Sequence, residues 1–160
     1  MELSTALVRL LLEKGLTIST AESCTGGLIA KCITDVSGAS AVFYGGVVSY
    51  DNSVKENVLS VNKDILNSLG AVSAPVACQM ASGVKRIMKT DIGISTTGIA
   101  GPGGGTPEKP VGTVYIGFAY GDRVESELLT LDPPHSRDEI RNETVSEIIR
   151  RTIEKICQSY

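Results

Sequence analysis

The stretch TAESCTGGLIAKC, Thr20 to Cys32, sets Ser23, Cys24 and Thr25 directly before a Gly26-Gly27 pair and an apolar run. A hydroxyl or thiol at a helix start can act as a nucleophile, and the N–H groups of the first turn can hold an anion or an oxyanion. A plain strand-to-helix turn accounts for the same residues equally well. Tyr50 and Lys55 supply the groups such a serine would need. A lysine buried among apolar groups loses proton affinity from its usual value of about 10.4, and can then deprotonate a serine directly or through a tyrosine hydroxyl. Ser23, Tyr50 and Lys55 could thus replace a serine, histidine and aspartate, although nothing local brings the three together. Cys24 is a second candidate nucleophile if its position activates the thiol, and small-residue packing is its simpler role.

Other signatures fail on inspection. The run Gly101-Pro102-Gly103-Gly104-Gly105-Thr106 has Thr106 where a dinucleotide fingerprint wants glycine, and no G-x-x-x-x-G-K-[ST] occurs. Ser23 lacks the flanking glycines of a nucleophile elbow, and the lone His135, after Pro133-Pro134, reads as a loop residue before a helix. Ser82-x-x-Lys85 matches one motif of the penicillin-recognising enzymes, but the other motifs are missing or out of order. The Asn142-Glu143-Thr144 acceptor pattern falls inside a helix. Cys24, Cys32, Cys78 and Cys157 contain no C-x-x-C and cannot build a usual zinc site with one histidine, so free thiols and no metal are expected.

Composition narrows the partners. A chain of 160 residues suits one domain able to bury roughly two-thirds of its unfolded surface. A net charge of −3, five Tyr, two Phe and no Trp offer neither a basic field nor stacking platforms, which argues against nucleic acid. The opening MELSTALVRLLLEKG is periodic rather than continuously apolar, and no run approaches bilayer length. The expectation is a cytoplasmic protein without membrane contact.

The elements that must position Ser23 and Lys55 follow from periodicity. Leu3 to Lys14 reads as a helix closed by Gly15, LTISTAES as a buried strand, Leu28 to Ile33 as a helix, and AVFYGGVVSY as a second strand. Helices follow at Asn52 to Leu59, Lys63 to Leu69 and Pro75 to Met88, then a third strand in DIGISTTGIAG. VGTVYIGFAYGDRVESELLTL is a hairpin turning at Gly121-Asp122. Ser136-Arg137-Asp138-Glu139 is a capping box opening a last helix, whose inward side carries Ile140, Val145, Ile148, Ile149, Ile153 and Ile156. The alternation predicts an α/β protein, a three-layer α/β/α sandwich on a mixed, mostly parallel sheet. Ligands bind beyond the carboxyl ends of parallel strands in such sheets. Those ends coincide with Ser23 to Gly27, Ser49 to Lys55 and Thr96 to Gly105.

Four segments, AESCTGGLIA, YGGVVSYDNSVK, GAVSAPVACQMASGVK and TTGIAGPGGGTPEKPVGTVYIGFA, resemble the CinA C-terminal domain family, and the likeness runs from about Leu7 into the final helix. The family's enzymatic members are nicotinamide-nucleotide amidohydrolases, which hydrolyse the carboxamide of nicotinamide mononucleotide to nicotinate mononucleotide and ammonia. The resemblance implies that activity in pyridine nucleotide recycling, without cofactor or metal, in a homodimer. It carries the family's serine onto Ser23 and the tyrosine and lysine of its Y-S-N-x-x-K pattern onto Tyr50 and Lys55. Asp51 stands here where a serine is usual, and its charge would favour protonated Lys55. Ala74 and Pro75 replace acidic residues common elsewhere. Larger members also carry an N-terminal domain, and no counterpart of it is expected in this sequence.

On that footing Ser23 attacks the carboxamide carbon, Lys55 accepts its proton, Tyr50 relays or orients it, and N–H groups around Cys24, Thr25, Gly26 and Gly27 hold the oxyanion. Thr97, Gly98 and the loop from Gly101 through Gly103 to Thr106 would receive ribose and phosphate. Arg141 is the leading charged partner, Arg137 the runner-up, and solvated first-turn residues the competing reading for both. Two other functions remain open, an amidohydrolase for another pyridine carboxamide and a non-catalytic nucleotide-binding or regulatory module linked to competence or DNA damage.

Overall fold

The computed structural model describes residues 2–131 and 136–160, so His135 and the prolines before it lie outside the described residues. In chain order the elements are α1 (Glu2–Lys14), β1 (Ile18–Glu22), α2 (Leu28–Thr34), β2 (Phe43–Val48), α3 (Asn52–Asn57), α4 (Lys63–Leu69), α5 (Ala74–Met88), β3 (Ile92–Gly98), β4 (Thr113–Tyr120), β5 (Arg123–Thr130) and α6 (Arg137–Ser159). A short 3₁₀ turn, Ala39–Ala41, precedes β2.

The strands form one sheet in the order β2-β1-β3-β4-β5. β2, β1 and β3 run parallel, while β4 opposes both of its neighbours. The expected mixed sheet is therefore present, with β4 alone reversed. β4 and β5 turn tightly at Gly121-Asp122, where Gly121 has φ 51°.

One face of the sheet carries α1, α2 and α6, whose Leu7, Leu11, Ile29, Ile33, Ile148 and Ile149 are buried against strand residues such as Ile94, Ile116 and Phe118. The other face carries α5, whose Val76, Met80 and Val84 cluster with Leu59, Val61 and Leu66. The predicted capping box closes the start of α6. Ser136 Oγ accepts from the Glu139 N–H at 3.2 Å, and the Glu139 carboxylate accepts from the Ser136 N–H at 2.6 Å.

α5 packs almost onto the sheet backbone because β4 offers it a glycine. A Cβ at Gly117 would lie 2.3 Å from the Ala77 carbonyl oxygen and 2.4 Å from Ser95 Oγ. Gly117→Ala is expected to lower unfolding free energy by about 1–3 kcal/mol, the usual cost of overpacking a dense core. Urea unfolding checks this, and an unchanged midpoint would contradict the close approach.

Candidate functional site

Ser23 directly follows β1, and its N–H donates to the Thr96 carbonyl of β3 at 3.0 Å. The chain then turns through Gly26 and Gly27, with φ of 59° and 99°, left-handed values that a side chain would strain. Under this turn lies Glu22, 1% exposed. Its carboxylate accepts from the Thr25 hydroxyl at 2.7 Å, from the N–H groups of Gly27 and Ile29 at 3.0 Å, and from the Ala30 N–H at 2.9 Å.

The anion cradle expected at this helix start is thus filled by the chain's own glutamate. Gly26 is committed as well, its N–H donating to the Ser23 carbonyl at 3.1 Å. Thr25 is fully buried, with its hydroxyl between Glu22 and Thr96. Thr25, Gly26 and Gly27 therefore shape the turn without lining the cleft, a correction to their expected role in binding substrate. Within Cys24 to Gly27, Cys24 is the residue that lines the cleft, so its N–H is the candidate donor to an oxyanion.

Glu22→Gln would turn an amide donor toward N–H groups that need acceptors, and charge-assisted hydrogen bonds are the costly ones to lose. We expect a loss of about 3 kcal/mol, read by thermal or urea unfolding. An unchanged stability would show that the α2 start does not depend on this carboxylate.

Lys55 enters from α3 and is 1% exposed. Its Nζ lies 2.6 Å from the Ser49 carbonyl oxygen, 3.3 Å from that of Tyr50 and 3.2 Å from Ser23 Oγ. Among the described residues these acceptors are a hydroxyl and two carbonyls, with no carboxylate. Burial drives the Lys55 pKa below the ordinary lysine value, against smaller upward influences from Asp51 and Cys24. The expected effect of Asp51 is present but does not win. Asp51 caps α3 from the surface, accepting the Ser53 N–H at 2.8 Å, and hydrogen bonds from the Ser53 side chain and then its N–H lower the Asp51 pKa.

Burial pushes the Cys24 thiol up to about 11, against a weaker lowering by a hydrogen bond with Thr96. A thiol so hard to ionise is a poor nucleophile, which leaves Ser23 as the better candidate of the adjacent pair. Tyr50 behaves differently from expectation. Its side chain is 62% exposed, and its hydroxyl accepts from Arg137 at 3.1 Å. Lys55 reaches Ser23 without it, so no tyrosine relay is required.

A cleft of about 210 Å³ opens over Ser23 and Lys55, walled by Cys24, Tyr50, Thr97, Gly98, Ala71 and Val72 and bounded by Asn52, Ala100 and Arg137. It lies beyond the carboxyl ends of β1, β2 and β3, where such sheets place ligands. Thr97 donates its hydroxyl to the Ala71 carbonyl at 2.8 Å, tying the α4–α5 loop over the cleft. The glycine loop contributes less than expected. Gly101 offers its carbonyl to Arg137 at 2.8 Å, and Gly103 faces open space.

The two arginines exchange ranks. Arg137 reaches the cleft, whereas Arg141 donates to the Thr25 carbonyl at 2.8 Å and lies over Gly26 without lining the cleft. Sequence reasoning missed Asn52, Ala71, Val72 and the buried role of Glu22. Only Glu22 carried a signal, an acidic residue ending an otherwise apolar and hydroxylic strand.

Comparison with known proteins agrees with this architecture along nearly the full chain. The CinA C-terminal domain model matches residues 1–156. A Thermoanaerobacter sp. (strain X514) protein named for competence-damage induction is 54% identical over 153 residues, which are 94% of this chain and 37% of that protein. A "CinA-like protein" of Leptospira borgpetersenii is 61% identical over 112 residues, 70% of this chain and 27% of its own length. The chain therefore matches between about a quarter and little more than a third of the length of these curated relatives. Among solved structures, the competence/damage inducible protein of Agrobacterium tumefaciens has a TM-score of 0.92 at 40% identity, covering 96% of this chain and 93% of its own. The competence damage-inducible protein A of Klebsiella pneumoniae has a TM-score of 0.95 at 30% identity, covering 99% and 98%. The chain belongs to the CinA C-terminal domain family.

Proposed function

We propose that this chain is a serine amidohydrolase that converts nicotinamide mononucleotide to nicotinate mononucleotide and ammonia. The observation that carries this reading is the buried Lys55 amine, 3.2 Å from Ser23 Oγ and without a carboxylate partner among the described residues. An ammonium has three N–H donors for its three acceptors. A neutral amine has two, which the Ser49 and Tyr50 carbonyls take, leaving the lone pair for the Ser23 hydroxyl. The same cage thus serves both protonation states.

Ser23 Oγ attacks the carboxamide carbon while its proton passes to Lys55 Nζ, and Lys55 returns that proton to the departing nitrogen. The C–N bond breaks, ammonia leaves and an ester remains on Ser23. Water then attacks the ester, gives its proton to Lys55, and releases nicotinate mononucleotide as Lys55 restores the Ser23 hydroxyl. The Cys24 N–H, beside Ser23 in the cleft, is the donor we assign to the oxyanion, where one good donor contributes about 2.7–4 kcal/mol.

Arg137, at the cleft mouth, is the residue we assign to the nucleotide's phosphate. Arg137→Ala should raise KM for the mononucleotide about 10–100-fold, the worth of a charge-assisted contact of about 1.5–3 kcal/mol, with a smaller change in kcat. Arg141→Ala should affect KM less. Steady-state kinetics of both variants check this, and the reverse ranking would return the phosphate to Arg141.

Ammonia release measured side by side from nicotinamide, its riboside and its mononucleotide tests the substrate. Release from the mononucleotide foremost supports the reading. Preference for unphosphorylated carboxamides would change the substrate, and binding without any release would make the chain a nucleotide-binding module.

A further inference from the structure

The cleft contains one group suited to move a proton during hydrolysis. Among the described residues that line it there is no carboxylate and no imidazole, the Thr97 hydroxyl is committed to the Ala71 carbonyl, the exposed Tyr50 hydroxyl is held by Arg137, burial keeps the Cys24 thiol protonated, and Arg137 is a permanent cation. Lys55 Nζ must therefore serve both halves of the reaction, first for Ser23 and then for the nucleophile that frees the ester. Its two carbonyl contacts fix Nζ on one side of Ser23, so the second nucleophile must approach over the position that ammonia has just vacated.

On the amidohydrolase reading that position accommodates an uncharged nitrogen leaving group. The cleft over Ser23 is walled in part by Ala71, Val72, Gly98 and Ala100, which are small and apolar. Their side chains carry no acceptor that would select the two hydrogens of water over the hydrogens of a small amine. By microscopic reversibility, a site that expels ammonia past Lys55 also admits a neutral amine along the same path.

We infer that the chain is also an acyltransferase, moving the acyl group of its carboxamide substrate from Ser23 to small unprotonated nitrogen nucleophiles of the hydroxylamine class. The inference rests on the serine amidohydrolase reading and deepens it. In the first step the amide C–N bond breaks, the C–O bond to Ser23 forms and ammonia leaves, carrying the serine proton delivered by Lys55. In the second the hydroxylamine nitrogen attacks the ester carbon. A new C–N bond forms, the C–O bond to Ser23 breaks, and the proton lost by nitrogen passes through Lys55 to Ser23 Oγ. The sum is carboxamide plus hydroxylamine giving hydroxamate plus ammonia, with no change of oxidation state.

The test incubates the whole chain with nicotinamide mononucleotide and increasing hydroxylamine, and quantifies ammonia, nicotinate mononucleotide and the hydroxamate by mass spectrometry. Ser23→Ala, verified as folded by circular dichroism, runs in parallel to measure uncatalysed reaction. The expected result is hydroxamate that rises with hydroxylamine at the expense of the acid, with ammonia undiminished, and that falls at least about 10³-fold in Ser23→Ala. Ammonia with only the acid as partner product would overturn acyl transfer while leaving deamidation standing. Neither ammonia nor hydroxamate would overturn the underlying reading as well.

Discussion

Ser23→Ala is expected to reduce ammonia release from nicotinamide mononucleotide by about 10⁴-fold or more, because removing a nucleophile ends the covalent route and leaves only binding and oxyanion stabilisation. The fold should survive, since the Ser23 side chain contacts Lys55 while its backbone N–H, which docks the turn on β3, is untouched. Cys24→Ser, next in sequence, should retain most activity, as its buried thiol resists ionisation. Kinetics of the two variants separate the roles. Full activity in Ser23→Ala, or loss confined to Cys24→Ser, would move the nucleophile to sulfur.

The second large effect belongs to Lys55. Only the neutral amine can accept the Ser23 proton, so kcat/KM should rise with pH as Lys55 deprotonates. Burial lowers its pKa, and the rise should therefore be centred below the ordinary lysine value of 10.5. Lys55→Met should cost about 10²–10⁴-fold and flatten this limb of the profile. Lys55→Arg, always protonated, should be no better.

The same shift links to stability with a definite sign. Above the folded pKa and below 10.5 the unfolded chain holds more protons at this site, so unfolding free energy increases with pH there. As pH falls through the folded pKa that contribution is lost, because the buried ammonium must then be carried. Urea unfolding against pH should show this slope in the parent and lose it in Lys55→Met. Identical slopes would mean that Lys55 is not perturbed by the fold.

The convergence of Ser23 and Lys55 could not be read from their separation in the chain. It follows from topology: β1 and β2 are adjacent and parallel, so the residues leaving their carboxyl ends meet. The pattern of strands, the Gly121-Asp122 hairpin and the α6 capping box were legible because each depends on local periodicity or turn chemistry. The choice between Arg137 and Arg141 was not, because they stand one helical turn apart on the same face of α6. Only the packing of α6 over Gly26 decides which one reaches the cleft. Glu22 was hidden for a related reason. The turn looked like an empty anion site from its glycines, and its occupant is a residue of the preceding strand that folds back beneath it.

The central claim is a covalent ester on Ser23. Its most direct measurement is mass spectrometry of the protein mixed with nicotinamide mononucleotide and acid-quenched before steady state, followed by peptide mapping. The account predicts an acyl adduct on the peptide bearing Ser23, absent from Ser23→Ala and formed more slowly in Lys55→Met. Turnover with no adduct at any time, or an adduct mapped to Cys24, would contradict it.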